Sequence, residues 1–259
     1  MAIQNTFERY EMKYLISGEQ LKRLLEVMEP YTAPDAFPHS QVQNIYYDTD
    51  DYRLIRRSLE KPDYKEKLRL RRYGGEGDPV FVELKKKYES VVYKRRICMD
   101  RGSAEDLLDG GSCGAAVYGG ARGTSLSAGS GPSKTRPSAS EPGGQISREI
   151  EYFLNYYRGL SPKAYIYYDR DSYAGKNGDL RITFDKNIVC RTDELDLDAG
   201  CFGRPILEEG MVLMELKCSA ALPLWLTSFL SKEKIYQTSY SKYGSAYCNI
   251  IYPALRSAC

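Results

Sequence analysis

Histidine is almost missing from this chain: His39 is the only one among 259 residues. A histidine general base and a His-rich metal centre are thereby excluded, and His39, between Pro38 and Ser40, reads as a solvated loop residue. Tryptophan is equally scarce, one residue against 23 tyrosines. The cysteines (Cys98, Cys113, Cys190, Cys201, Cys218, Cys248 and Cys259) are odd in number and form no C-x-x-C, which favours reduced thiols over a disulfide framework or a zinc site. There is no H-E-x-x-H and no G-x-x-x-x-G-K-[ST]; Lys134-Thr135 follows Ser133 and opens no helical pattern. Net charge is also lacking, with Lys+Arg 37 against Asp+Glu 35. Any anion site must therefore come from local arrangement rather than from global attraction to nucleic acid or membrane. The longest apolar stretch, Ala220 to Leu230, is broken by Pro223 and is too short to span a bilayer. The first residues lack the apolar core of a secretory signal, so the expected location is cytoplasmic.

What the chain does have is charge written with a period of two. Lys67, Arg69 and Arg71 alternate with Glu66, Leu68 and Leu70, and Glu83, Lys85 and Lys87 alternate with Val82, Leu84 and Lys86. The same pattern recurs in Arg9/Glu11/Lys13, Lys94/Arg96, Arg181/Thr183/Asp185 and Glu215/Lys217. Successive side chains of a strand point to opposite faces, so each segment carries an ionic face and, in most cases, a largely apolar one. A solvated charge ladder would tend to balance its signs. These faces are mostly cationic, which predicts a shared polar interior that holds a polyanion.

Strands are expected near 7–16, 41–49, 64–73, 79–88, 91–99, 163–173, 179–191 and 210–218, joined mostly by Gly-, Asn- and Asp-rich turns. The expected fold class is α+β, mainly β: an eight-stranded antiparallel β-barrel with helices packed outside. Ser17 and Gln20 form a capping-box pair ahead of Leu21, Leu24, Leu25 and Met28. Asp50 is expected to cap a short helix, Ser147 to open a second, Pro223 to stand in the first turn of a third, and a last helix to follow Ser241. The stretch 109–145 holds ten of the 22 glycines and no hydrophobic period, so it reads as a flexible insert. It divides the strands five to three, and neither group closes alone. One domain over 1–259 is therefore expected.

Several blocks resemble the strands of the VTC domain: Phe7-Glu8-Arg9-Tyr10-Glu11-Met12-Lys13-Tyr14, Leu68-Arg69-Leu70-Arg71-Arg72-Tyr73-Gly74, Val82-Glu83-Leu84-Lys85, Tyr168-Asp169-Arg170, Leu180-Arg181-Ile182-Thr183-Phe184-Asp185, Met214-Glu215-Leu216-Lys217 and Ser241-Lys242-Tyr243. VTC is the polyphosphate-polymerase branch of the triphosphate tunnel metalloenzymes, a CYTH-like superfamily. The resemblance implies an eight-stranded tunnel that binds a nucleoside triphosphate, most simply ATP, with Mn²⁺ or Mg²⁺, and that elongates inorganic polyphosphate. It implies phosphate-binding roles for Lys13, Arg69, Arg71, Lys85, Lys94, Arg170, Arg181 and Lys242, with Arg69, Arg71, Lys85, Arg181 and Glu215 at the reaction centre. Glu215 would be the metal carboxylate, assisted by Glu11 or Glu83. The hydrolase branch carries Glu-x-Glu-x-Lys on its first strand, whereas this chain has Arg9-x-Glu11-x-Lys13. Strict alternation groups Arg170 with Ile166 and Tyr168, so an irregularity is expected where Arg170 turns inward.

These residue types suit phosphoryl transfer, which asks for positioning and charge stabilisation more than covalent chemistry. Arginine offers paired hydrogen bonds to phosphate and lysine a compact charge. A hydrolase must activate water, whereas a polymerase uses a phosphate oxygen that is already ionised. A base-rich, carboxylate-poor interior leans toward the polymerase. A triphosphatase of the same fold and a non-catalytic polyphosphate-binding module are the alternatives. The aromatics do not interleave with the bases as a nucleic-acid stacking platform requires. With no expected span of its own, any export of product would need a membrane-protein partner.

Overall fold

A computed structural model describes residues 10–89, 91–110, 142–177, 180–219 and 221–257. The chain opens with strand β1 (Tyr10–Ser17) and helix α1 (Gly18–Met28). Ser17 accepts from the Gln20 N–H while the Gln20 side chain accepts from the Ser17 N–H, which completes the expected capping box. β2 (Thr32–Asp48) leads through α2 (Arg53–Leu59) into the meander β3 (Tyr64–Tyr73), β4 (Val80–Tyr88) and β5 (Val91–Met99). Helices α3 (Arg101–Leu108) and α4 (Pro142–Tyr157) follow, then β6 (Ser161–Gly175) and β7 (Arg181–Arg191). A two-residue β8 (Arg204–Pro205), β9 (Met211–Cys218), α5 (Leu224–Lys232) and a two-residue β10 (Gln237–Thr238) precede the last elements. Those are α6 (Lys242–Ala246), a π-helical turn (Tyr247–Ile251) and α7 (Tyr252–Ser257).

All pairings are antiparallel, in the order β10-β1-β9-β7-β6-β2-β3-β4-β5. The eight long strands form the expected tunnel-like sheet. They do not seal it, since among the described residues no ladder joins β5 to β1. The sheet nevertheless curls until its ends face each other: Lys85 on β4 draws down the pKa of Glu11 on β1. Among the described residues no helix is long and apolar enough to cross a membrane.

Three apolar clusters hold the sheet. Leu68, Leu70, Val82, Leu84, Ile97 and Met99 turn outward under Leu107 of α3 and Ile150 and Phe153 of α4. On the other flank Ile16, Ile182, Phe184, Met214 and Leu216 lie under Leu24 and Met28 of α1 and Phe229 of α5. These are the outer helices that the alternation called for. A third cluster lies on the inner face: Val42, Tyr46, Ala164, Ile166, Tyr168, Ile188 and Leu213 meet Ile55 of α2, Tyr243 and Ala246 of α6, and Tyr247 and Ile250 of the π-helical turn. Full burial of one such side chain contributes about 1.5–3 kcal/mol. The C-terminal helices thus fill one part of the tunnel and leave the charged part open.

Two local expectations change. Asp50 does not cap α2; its carboxylate meets Lys163 at 2.7 Å. Asp48, the buried last residue of β2, accepts instead from the N–H groups of Thr49, Leu54 and Ile55 at 2.8–3.0 Å, because it ends the strand beside the first turn. Helix α4 begins before Ser147, at Pro142, whose missing N–H costs nothing in a first turn. Residues 142–145 of the expected insert are therefore helical. Its residues 111–141 lie outside the described residues, as do Phe7, Glu8 and Arg9.

Candidate active site

Alternation sends Lys67, Arg69 and Arg71 of β3 to the face that also carries Glu83 and Lys85 of β4 and Lys94 and Arg96 of β5. The registers Arg69↔Glu83, Lys67↔Lys85, Glu83↔Arg96 and Lys85↔Lys94 place them side by side. Glu83 is the hub of this wall and is 1% exposed. Arg69 reaches its Oε2 with Nε at 2.8 Å and Nη2 at 2.6 Å, and Lys94 approaches Oε1 at 2.8 Å. Arg96 stands at 3.6 Å. Burial opposes the Glu83 charge, but Arg69, Arg71 and Lys94 outweigh it and hold the carboxyl well below its usual range.

Arg71 is fixed by neutral partners: Nε donates to Asn44 Oδ1 at 2.7 Å, Nη1 to Tyr73 at 3.0 Å and Nη2 to Tyr168 at 3.2 Å. Arg69 Nη1 donates to the Tyr46 hydroxyl at 3.1 Å. Burial alone would raise the Tyr46 phenol, yet Arg69, Arg71 and Lys242 pull it down. These phenols accept from arginine and keep their own protons free to donate.

The facing wall is built on β1, β9, β7 and β6. Glu11 and Lys13 lie opposite Lys217 and Glu215 in the β1–β9 ladder, and Thr183 lies opposite Glu215. Asp185, fully buried, takes both Nε and Nη2 of Arg170, at 2.6 and 2.8 Å, and also the Lys242 ammonium. Glu215 has Lys13 at 3.6 Å and Arg170 and Lys242 at 3.7 Å. Burial would raise its pKa; Lys242, Lys13 and Arg170 lower it strongly. Lys13 donates to the Tyr240 carbonyl at 2.9 Å, which ties β1 to the segment entering α6.

Of the residues expected at the site, Lys13, Arg69, Arg71, Lys85, Lys94, Arg170, Lys242, Glu11, Glu83 and Glu215 share the inner face. Arg181 lies on the same strand face but at the rim, exposed, with Nε 2.8 Å from Asp35. Arg170 needs no irregularity in its own strand. Ile166 and Tyr168 face inward with it, because the inner face is apolar where α6 covers it. The register shift lies across the β6–β7 ladder, between Tyr167 and Asp169, where β7 accommodates an extra residue at left-handed Asn187 (φ 52°). Asn44, Tyr46 and Tyr73 join the site beyond the residues singled out, and Lys67, Arg96 and Asp185, part of the alternating ionic faces, join it beyond those given a role. Their strand parity was the available signal.

A model of the VTC domain matches residues 8–251. The chain belongs to the VTC-domain family. No curated protein matches its sequence. Among solved structures, this VTC domain resembles a Hippeastrum protein described as a candidate adenylyl cyclase that reveals a dominant triphosphatase activity, at 15% identity and a TM-score of 0.51, over 91% of this chain and 93% of that one. A candidate adenylate cyclase from Bacillus halodurans aligns at 14% identity and a TM-score of 0.49, over 89% of this chain and 92% of that one. At such identities the Hippeastrum likeness speaks for the fold alone.

The donor set of the VTC domain can be weighed against a divalent cation. Mg²⁺ and Mn²⁺ take hard oxygen ligands and are commonly held by one or two carboxylates together with substrate phosphates. Glu83 Oε2 is held by Arg69, while the buried Oε1 accepts no hydrogen bond but has Lys94 at 2.8 Å and Arg96 at 3.6 Å, cations that would repel a metal ion there. Glu215 and Glu11 fit better. They sit diagonally across the β1–β9 ladder, close enough for Glu215 to oppose the lowering of the Glu11 pKa by its lysines, and among the described residues neither has a cation nearer than 3.6 Å. Among the described residues no group of three or more His, Cys, Asp and Glu gathers.

Proposed function

We propose that this VTC domain is a polyphosphate polymerase, which transfers the γ-phosphoryl group of a nucleoside triphosphate, ATP in the simplest case, to the end of an inorganic polyphosphate chain lying in the tunnel. The observation that carries this reading is the surplus of inward cations. Lys13, Arg69, Arg71, Lys85, Lys94, Arg96, Arg170 and Lys242 converge, while Glu83 and Asp185 are engaged in holding arginines and lysines. Arg69 and Arg71 would grip equatorial phosphate oxygens bidentately, and the phenolic protons of Tyr46 and Tyr73 would add donors. Lys85, Lys94, Arg170, Lys242 and, at the rim, Arg181 would bind neighbouring phosphates. A divalent cation at Glu215 and Glu11 would draw charge from the transferring group.

An acceptor phosphate oxygen forms the new bond to the γ-phosphorus as its bond to the β–γ bridging oxygen breaks and the diphosphate leaves. That acceptor is already ionised at neutral pH, so no general base is required. The site has no histidine, and its best-placed carboxylates, Glu11 and Glu215, are the metal candidates. The partners on this reading are ATP and polyphosphate, with no nucleic acid and no membrane span, in the cytoplasm.

Incubation with ATP and Mn²⁺ should yield ADP and a polyphosphate ladder on a gel. ADP with orthophosphate and no ladder would make the protein a triphosphatase; polyphosphate binding without turnover under any metal would make it a binding module. Glu215→Gln should abolish turnover while leaving the circular dichroism spectrum unchanged, and full activity in that variant would remove Glu215 from the reaction.

A further inference from the structure

Lys67 has no role in the reading above, and its surroundings are unusual. The registers Lys67↔Lys85 and Lys85↔Lys94 set three lysines directly opposite one another on adjacent strands β3, β4 and β5. Neighbouring strands are only about 4.8 Å apart, and like charges in this position repel. Lys94 finds relief in Glu83 at 2.8 Å. Among the described residues, neither Lys67 nor Lys85 has a carboxylate oxygen within the 4.0 Å that defines an ion pair. Among the described residues the hydrogen-bond partner of Lys67 Nζ is the Ser241 hydroxyl at 2.8 Å. That oxygen also accepts from the Gly244 N–H at 3.1 Å, so its own proton points elsewhere.

We infer that Lys67 is a polyanion-binding residue of the tunnel which is largely unprotonated above neutral pH and there takes up close to one proton from solvent when phosphate arrives between it, Lys85 and the Ser241 hydroxyl. The inference rests on the tunnel's holding polyphosphate, and not on turnover. The groups facing the amine are Lys13 from β1, Lys85 from β4, Lys65 and Arg69 from its own strand, and Ser241 ahead of α6. None is anionic. Burial first, then repulsion from Lys13 and Lys85, brings its pKa from 10.5 to about 7. A bound phosphate supplies the missing counter-charge and returns the pKa upward. Binding is then linked to proton uptake. Affinity is greatest below the free amine's pKa and falls as pH rises from it toward the pKa of the bound state, by up to about tenfold per pH unit.

The test is binding of long-chain polyphosphate, whose internal phosphates do not titrate near neutrality, by the intact protein with chelator and without nucleotide. Calorimetry at about pH 8 in buffers of different ionisation enthalpy reads the protons exchanged. Wild type should take up close to one proton more per protein than Lys67→Arg, which stays charged and should show a flatter dependence of affinity on pH. Lys67→Met should bind roughly ten- to a hundredfold more weakly at about pH 6.5, through loss of a charge-assisted contact, with no fall in melting temperature. Equal proton uptake by wild type and Lys67→Arg would overturn the inference while leaving the polymerase reading intact. So would undiminished affinity in Lys67→Met. Absence of polyphosphate binding by wild type would overturn both. A proton difference without any polymerase activity would uphold this inference alone.

Discussion

Glu83→Gln tests the architecture of the basic wall most directly. The Glu83 carboxylate is 1% exposed and receives Arg69 through two nitrogens and Lys94 through one, with Arg96 and Arg71 at 3.6 and 3.8 Å. Glutamine keeps the shape and removes the charge. Lys94 is 43% exposed at the side chain, so water screens its loss; the cost falls on Arg69 and Arg71, at 22% and 6%. Removing one partner of a buried ion pair costs about 3–5 kcal/mol. For a chain of this size that is a fall in melting temperature of roughly 6–15 °C. The same cations face the tunnel, so polyphosphate should restore much of the loss and should stabilise the variant more than it stabilises wild type. Thermal unfolding with and without polyphosphate reads both effects. A fall below about 2 °C, or equal stabilisation of the two proteins by polyphosphate, would refute the assignment of Glu83 as the counter-charge of a polyanion-binding wall.

Two further outcomes follow from the buried carboxyls. Glu11, Glu83 and Glu215 all have pKa values lowered from 4.5 in the folded protein, so the unfolded chain binds more protons in acid. Their contribution is complete above that ordinary value and is lost as pH falls from about 4.5 toward the lowered values; a urea midpoint that stays flat between about pH 5 and 3 would contradict this. Tyr243→Phe removes the donor, at 3.0 Å, that joins α6 to the buried Asp48 carboxylate. A cost of about 1–3 kcal/mol is expected from urea unfolding, and a neutral result would show that the backbone donors of α2 satisfy Asp48 alone.

The legible part of this fold is the part governed by local period. Parity alone assigns Leu68, Leu70, Val82 and Leu84 outward and Arg69, Arg71, Glu83 and Lys85 inward, because a strand exposes alternate faces whatever packs on them. Parity does not say how an inward face is shared. Alternation groups Arg170 with Ile166 and Tyr168, and those apolar residues suggest an outward face from which Arg170 would have to turn; instead α6 brings an apolar cluster into the tunnel beside the charges. The Arg170–Asp185–Lys242 knot joins β6, β7 and α6, and no spacing within one segment announces it. The cap of α2 was misplaced for a similar reason. Asp50 has the better local position, but the buried end of β2 delivers Asp48 to the same N–H groups.

The pairing of β1 with β9 has a consequence for how the site comes into being. Glu11 and Lys13 are made about two hundred residues before their ladder partners Lys217 and Glu215, some 10–40 s at ordinary elongation speeds. In the interval the β3–β4–β5 meander can form from near neighbours alone, with its lysines and arginines displayed and no facing wall. Lys242 arrives later still. A nascent or truncated chain ending before it would carry the cations but not the contacts of Lys242 with Asp185 and Glu215, so the site appears in one step once α6 is made and not by degrees.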